Sequence, residues 1–371
     1  MRLRHAFVVI LLAAMAAART APADDEKKPD AQRLYETAVA KAIEYCRTKG
    51  QAADGSYSAE AGPAVTAIVT AGILRNGRTP EDPLVAKSLK YLEGFVRDDG
   101  GIYGEGSRHQ NYETCVALQC FIEANKDHRY DELVKKAEAY VRGVQWDTEN
   151  GITKSNVNYG GAGYGRSGSR PDLSNTSFLM DALKSAGAGP DDEAVQKALV
   201  FVSRCQNLET EFNATPFAAK VNDGGFYYTP SDGGASQAGN TPQGGLRSYG
   251  SMTYAGLKSM IYAGLTADDP RVKAAMKWIQ DHYTLAENPG MGTAGLYYYY
   301  QAYARALAAL GVDVFKDASG TSHDWRAEII ETLAERQQPD GSWLNENARW
   351  LEGNPNLVTG YVLLTLSYAR K

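Results

Sequence analysis

A threonine, a large apolar residue seven positions on, and a glycine or asparagine four beyond that recur along this chain. Thr66, Ile73 and Gly77 keep the spacing, as do Thr114, Phe121 and Asn125, then Thr176, Leu183 and Gly187, then Thr253, Met260 and Gly264. Tyr300, Leu307 and Gly311 follow with tyrosine in the first slot, and Thr359 and Leu366 with Arg370 in the last. At 100° per residue these three offsets fall within about 20° of the first, so each set marks one face of a helix. Leu118, Met180, Leu257 and Leu363 join that face four residues in, and the closing Gly or Asn is a stop signal. The pattern predicts six amphipathic helices of about three turns.

A second helix alternates with the first. Its mark is a small residue followed three positions later by an aromatic and then an aliphatic or cysteine: Ala42–Tyr45–Cys46, Ser88–Tyr91–Leu92, Ala137–Tyr140–Val141, Ala198–Phe201–Val202 and Ala275–Trp278–Ile279. A sixth copy around Leu333 lacks the aromatic. Gln337, Gly341 and Trp343 then form a Gln-x-x-x-Gly-x-Trp turn, with Tyr57, Tyr103 and Tyr227 expected in the tryptophan slot after Gly55, Gly101 and Gly225. Helix pairs repeated in this way cannot bury a face alone and must stack. The expectation is all-α: an (α/α)6 barrel or toroid over residues 34–371, six inner helices ringed by six outer ones. Residues 207–247 interrupt the rhythm as a long loop, either a mobile flap beside the pocket mouth or a merely decorative insertion.

Charge and cysteines narrow the class. Residues 1–23 read as a signal peptide, with Arg2 and Arg4 before the apolar run Ala6–Ala18 and cleavage near Ala23. That run of 13 residues is too short to span a bilayer. An exported chain, periplasmic or secreted, would begin with a disordered leader at 24–33. Of 39 basic residues, losing Arg2, Arg4 and Arg19 leaves 36 against 44 acidic, a net of −8. That balance disfavours nucleic acid as a partner, and no integral membrane segment is expected in the mature chain. Cys46, Cys115, Cys120 and Cys205 show no disulfide framework or metal-ligand spacing, so buried thiols and no metal are expected.

The repeated helix pairs and the Gln-Gly-Trp turn resemble the terpenoid cyclase and protein prenyltransferase superfamily, the squalene-cyclase-like α/α toroids. In this resemblance Asp172–Thr176, "DLSNT", stands where squalene and hopene cyclases carry Asp-x-Asp-Asp-Thr, whose middle aspartate protonates an alkene. Here Ser174 and Asn175 replace the second and third acids, and serine is too weak an acid for that task. Prenyltransferase zinc ligands are likewise missing, with Tyr249 and Ser251 at the comparable helix start, and no cofactor is implied. Asp172 is the first catalytic candidate and equally a helix cap; Glu113 is the second. Tyr112, Ser174, Asn175, Arg247, Tyr249, Tyr299, Tyr300, Tyr303 and Trp350 are expected around a central pocket for a hydrophobic, isoprenoid-like molecule. A non-catalytic protein- or glycan-binding scaffold, or a polysaccharide-active (α/α)6 enzyme, is the alternative.

Overall fold

The computed structural model describes residues 30–166 and 168–370; the expected signal peptide and residues 24–29 of the expected leader lie outside them, while Asp30 caps a helix that already includes residues 31–33. The regular structure of the described residues is helical apart from a hairpin of two-residue strands, β1 (Phe315–Lys316) against β2 (Ser322–His323), and isolated bridges. Six helices form the inner layer: α2 (Pro63–Arg75), α4 (Gln110–Ala124), α6 (Leu173–Ser185), α9 (Gly250–Tyr262), α11 (Leu296–Leu310) and α13 (Pro355–Ala369). Each packs on the next, and α13 returns to α2, closing the ring. Outside them lie α1 (Ala31–Tyr45), α3 (Pro83–Glu93), α5 (Asp131–Gly143), α7 (Glu193–Arg204), α10 (Pro270–Asp281) and α12 (Trp325–Glu335). One further turn, α8 (Ala218–Val221), belongs to the long loop.

Burial separates the layers. Every residue of α2 from Pro63 to Leu74 is buried, whereas α5 buries only Ala137, Tyr140 and Val141. A helix apolar all round sits inside, and one with a single stripe sits at the surface. Among the described residues no helix is long and apolar enough to cross a membrane. All four cysteines are free and buried.

The recurrent threonine has a definite task. Its Oγ1 accepts a backbone N–H from the preceding turn: Tyr57 to Thr66 (2.9 Å), Ile102 to Thr114 (3.0 Å), Ala162 to Thr176 (3.0 Å), Phe226 to Thr253 (3.1 Å) and Trp343 to Thr359 (3.3 Å). This fixes the register of the turn, and it corrects the expected one. Ile102 and Phe226, not Tyr103 and Tyr227, occupy the tryptophan slot, because the left-handed glycines are Gly100 and Gly224, each one residue earlier than expected.

The glutamine closes the outer ring. Gln337 Nε2 donates 2.9 Å to Ala38 of α1, Gln145 2.9 Å to Ala194 of α7, and Gln206 2.9 Å to Arg271 of α10. Each ties the end of one outer helix to the backbone of the next. Gly341 has φ +92°, and a Cβ there would lie 2.3 Å from the Lys41 carbonyl oxygen of that neighbouring helix. Only glycine tolerates both conditions.

Candidate functional site

The inner helices run parallel, so their N-terminal ends gather at one mouth of the ring. Asp172 caps α6 in extended backbone there: its Oδ1 accepts the Asn175 N–H at 2.8 Å and its Oδ2 the Asn175 Nδ2 at 2.8 Å. The loop before it is pinned to the helix start, since the Asp172 N–H reaches the Ala162 oxygen at 3.1 Å. The long loop contributes from the other side. Leu173 N–H donates to the Tyr228 oxygen at 2.8 Å, and the Tyr228 hydroxyl stands close enough to the Asp172 carboxylate to oppose its protonation.

Asp172 is 2% exposed. Burial pushes its carboxyl up to about 6, against the opposing pull of the Asn175 hydrogen bonds, the nearby Tyr228 hydroxyl and the Arg170 charge. Tyr164, Tyr249 and Tyr298 stand close enough for their own hydroxyls to feel the Asp172 charge, and burial is the main cause raising all three. Asn175 Oδ1 is buried without a hydrogen-bond partner.

The run Tyr297–Tyr300 divides between two environments. Tyr298 faces the lumen: its hydroxyl lies 3.0 Å from Ser174 Oγ, and its ring stacks on Phe178 at 6.1 Å and tilts against Tyr361 at 6.1 Å. Tyr112 continues this wall, edge-on to Phe178 at 5.0 Å and to Tyr164 at 6.1 Å. Tyr299 and Tyr300 point the other way, donating to the Thr284 and Leu285 carbonyls at 2.7 and 2.5 Å, and Tyr303 meets the Tyr283 hydroxyl at 2.7 Å. These three expected pocket residues therefore sit between the helical layers, and Tyr298, like Phe178, Tyr361, Tyr164 and Tyr228, is a site residue that sequence reasoning missed. The repeat register carried the signal. Tyr300 stands in the threonine slot, whose side chains reach outward to the turns, so position 298, about 200° round the helix, faces inward.

Glu113 is also structural in its contacts. Its carboxylate accepts the Gly104 N–H at 2.8 Å and the Ser107 hydroxyl at 2.7 Å, holding the loop ahead of α4. Glu352, absent from the sequence expectations, does the same for α11. It is 1% exposed and accepts the Tyr298 N–H at 2.8 Å, the Tyr297 N–H at 3.2 Å and Asn345 Nδ2 at 2.6 Å. Burial raises its carboxyl too, against those bonds.

Two further expected residues form the rim. Arg247 is exposed and bonds the Asn240 oxygen at 3.2 Å within the long loop. Trp350 is 43% exposed on left-handed backbone, with the Arg349 guanidinium 4.1 Å from its ring. The loop itself is held by side chains: Asn207 Nδ2 donates to Leu246 at 2.6 Å and Thr229 to Pro171 at 2.7 Å. Instead of a free flap, it is a hydrogen-bonded wall of the mouth. Among the described residues no three His, Cys, Asp or Glu side chains converge as a metal site.

Below Phe178 and Tyr361 the lumen keeps a cavity of about 30 Å³. Four offsets from the recurrent threonine, −2, +2, +5 and +9, face this axis, all within about 40° of the side opposite the threonine. The first two layers are largely apolar and aromatic. The third holds Ala71, Gln119, Asp181, Lys258, Arg305 and Leu364.

A closed ring of parallel inner helices inside an outer ring is the α/α toroid of the terpenoid-cyclase-like superfamily. Residues 57–229 match the family model for the squalene-hopene cyclase C-terminal domain. The fold is similar to that of the type II terpene cyclase MstE from Scytonema in complex with merosterolic acid A, its product, at 15% identity over 91% of this chain and 98% of that one, TM-score 0.58. Another MstE structure, in complex with its substrate geranylgeranyl dihydroxybenzoate, aligns at 13% identity over 91% and 98%, TM-score 0.57. A glycosidase aligns at 13% identity over 91% and 97%, TM-score 0.51. No curated protein sequence matches.

Proposed function

We propose that this exported toroid binds a hydrophobic, isoprenoid-like molecule at the aromatic mouth of its ring, with Asp172 as the acid if the bound molecule is transformed. The observation that carries the reading is the placement of a buried carboxyl, raised to about 6, beside Tyr228 and close to a wall of Tyr112, Phe178, Tyr298 and Tyr361. Aromatic faces suit an alkene or a cation formed from one. A carboxylic acid near 6 is protonated in a useful fraction at neutral pH. Ser174 and Asn175 supply no second acid, so the polarisation that a neighbouring carboxylate would add is replaced by hydroxyls and an amide. The substrate of MstE is itself a geranylgeranyl compound, which supports the same ligand class.

The cavity of about 30 Å³ has room for only one or two waters, so an isoprenoid chain must displace Tyr298 or Phe178 to enter. That filled centre favours a second reading, a non-catalytic scaffold with protein or glycan partners. The two are separated by mass spectrometry of small molecules extracted from the purified mature protein, alongside titration with squalene and geranylgeraniol. The first reading expects an apolar ligand or micromolar binding that falls at least tenfold in Tyr298→Ala and persists in Tyr299→Phe. Absence of any extracted apolar molecule together with no binding of either probe would leave the scaffold.

A further inference from the structure

We propose that the floor of the lumen, at the end opposite the mouth, is a monoanion site that takes a carboxylate, with Arg305 and Gln301 as its ligands and Arg75 beside them. The argument begins with charge. Asp181 is shared by two cations: Lys258 Nζ lies 2.6 Å from its Oδ1 and Arg305 2.9 Å from its Oδ2. The three side chains are 3%, 4% and 6% exposed. Burial pushes Lys258 down to about 8, which still leaves it charged at neutral pH.

Other groups on the facing helices do not remove the surplus. Arg75 is paired with Glu123 at 2.8 Å and donates to the Tyr368 hydroxyl, so that pair is self-contained. Arg75 ends α2, where the helix dipole favours a cation; Lys258 and Arg305 stand more than one turn inside their helices, beyond its reach. Gln119 accepts from Arg305 at 3.0 Å, and the Tyr262 hydroxyl lies 3.4 Å from Arg305 Nε; both are neutral. Lys184 at the lower rim only adds positive charge. Two buried cations on one carboxylate are costly unless a further anion joins them.

The second observation is Gln301. It is 5% exposed, lines the cavity, and has no hydrogen-bond partner among the described residues. Its neighbour Gln119 shows what a satisfied amide looks like here, with the oxygen on Arg305 and the nitrogen donating to the Cys115 oxygen at 3.1 Å. An unused buried amide and a guanidinium facing one small cavity form a donor set for an anion, and a guanidinium matches a carboxylate well. Space for a water or one small ion is available without rearrangement.

A free small carboxylate and the end group of a longer acid have the same chemistry, so both are tested on the mature protein by isothermal titration: formate, then dodecanoate, then dodecan-1-ol. The expected result is saturable formate binding, weakened at least fivefold in Gln301→Leu and lost in Arg305→Met. Arg305→Met leaves Lys258 and Asp181 as a balanced pair, and circular dichroism confirms that each variant is folded. Formate displaced by dodecanoate but not by dodecan-1-ol identifies the end group of an amphiphile; formate binding without such displacement identifies a free anion. Either supports the site. Absence of both formate and dodecanoate binding, or equal formate affinity in wild type, Gln301→Leu and Arg305→Met, overturns it. The formate arm does not depend on an apolar ligand at the mouth, so this inference and the proposed function can fail separately.

Discussion

As the cap of α6, Asp172 is best ionised; as a carboxyl 2% exposed, it resists ionisation. Burial wins, and the sign of the resulting linkage follows. The folded-state value is about 6 and the ordinary carboxylate value 3.8, so the native state holds the extra proton between them. The contribution is fully present below pH 4 and is lost as pH rises through 6, amounting to about 2–3 kcal/mol. Asp172→Asn should abolish that part of the pH dependence while keeping the cap, because asparagine caps comparably. The unpartnered Asn175 Oδ1 can then turn to accept from the new amide. Urea melts at pH 4, 5, 6 and 7 check this: the variant's midpoint should vary less than wild type's, and an identical profile would show that Asp172 titrates normally. The cap was legible in Pro171–Asp172 ahead of an apolar stretch. Glu352 was not, because it reaches α11 across 54 residues of chain, a distance no local pattern spans.

Between helices, the turn is the unit that specifies the ring. In its last copy Gly341 keeps a left-handed backbone against Lys41, Gln337 bridges to Ala38, and Trp343 donates its Nε1 to the Leu333 oxygen at 2.8 Å. Gly341→Ala should cost about 1–3 kcal/mol from strain and close approach together. Thr114→Val, nearly isosteric, should cost a similar 1–3 kcal/mol by leaving the buried Ile102 N–H without an acceptor. Chemical denaturation measures both, and a loss under 0.5 kcal/mol in each would mean that the turns follow the ring and do not help define it. The existence and order of the helices were readable because the threonine, leucine and glycine repeat on one face. The face itself was harder to assign. It looks outward to the turns and outer helices, which puts the expected Tyr300 and Tyr303 between the layers, while the lumen face carries Tyr298.

Seen along the ring axis, the lumen grades from aromatic at the mouth to charged at the floor, and the floor ties helices that are distant in sequence. Asp181 on α6 joins Lys258 on α9 and Arg305 on α11, and Arg305 reaches Gln119 on α4. A toroid filled by such a layer resists collapse or ovalisation through directional contacts, where apolar packing alone would tolerate sliding. Its weakness is that removing the shared carboxylate strands two cations. Asp181→Asn should therefore destabilise by about 3–5 kcal/mol, the cost of breaking a buried ion pair by one partner. Replacing all three as Asp181→Leu, Lys258→Met and Arg305→Met should recover most of that loss, since an apolar trio of similar volume avoids the desolvation cost. Urea denaturation of the single and triple variants decides the matter. A triple variant as unstable as Asp181→Asn would mean that the charges are needed for the ring to close, and a triple variant near wild type would assign them to binding instead. The register that locates this layer, five residues beyond each threonine slot, is visible in the sequence once the lumen face is known, because charged residues there interrupt otherwise apolar inner helices.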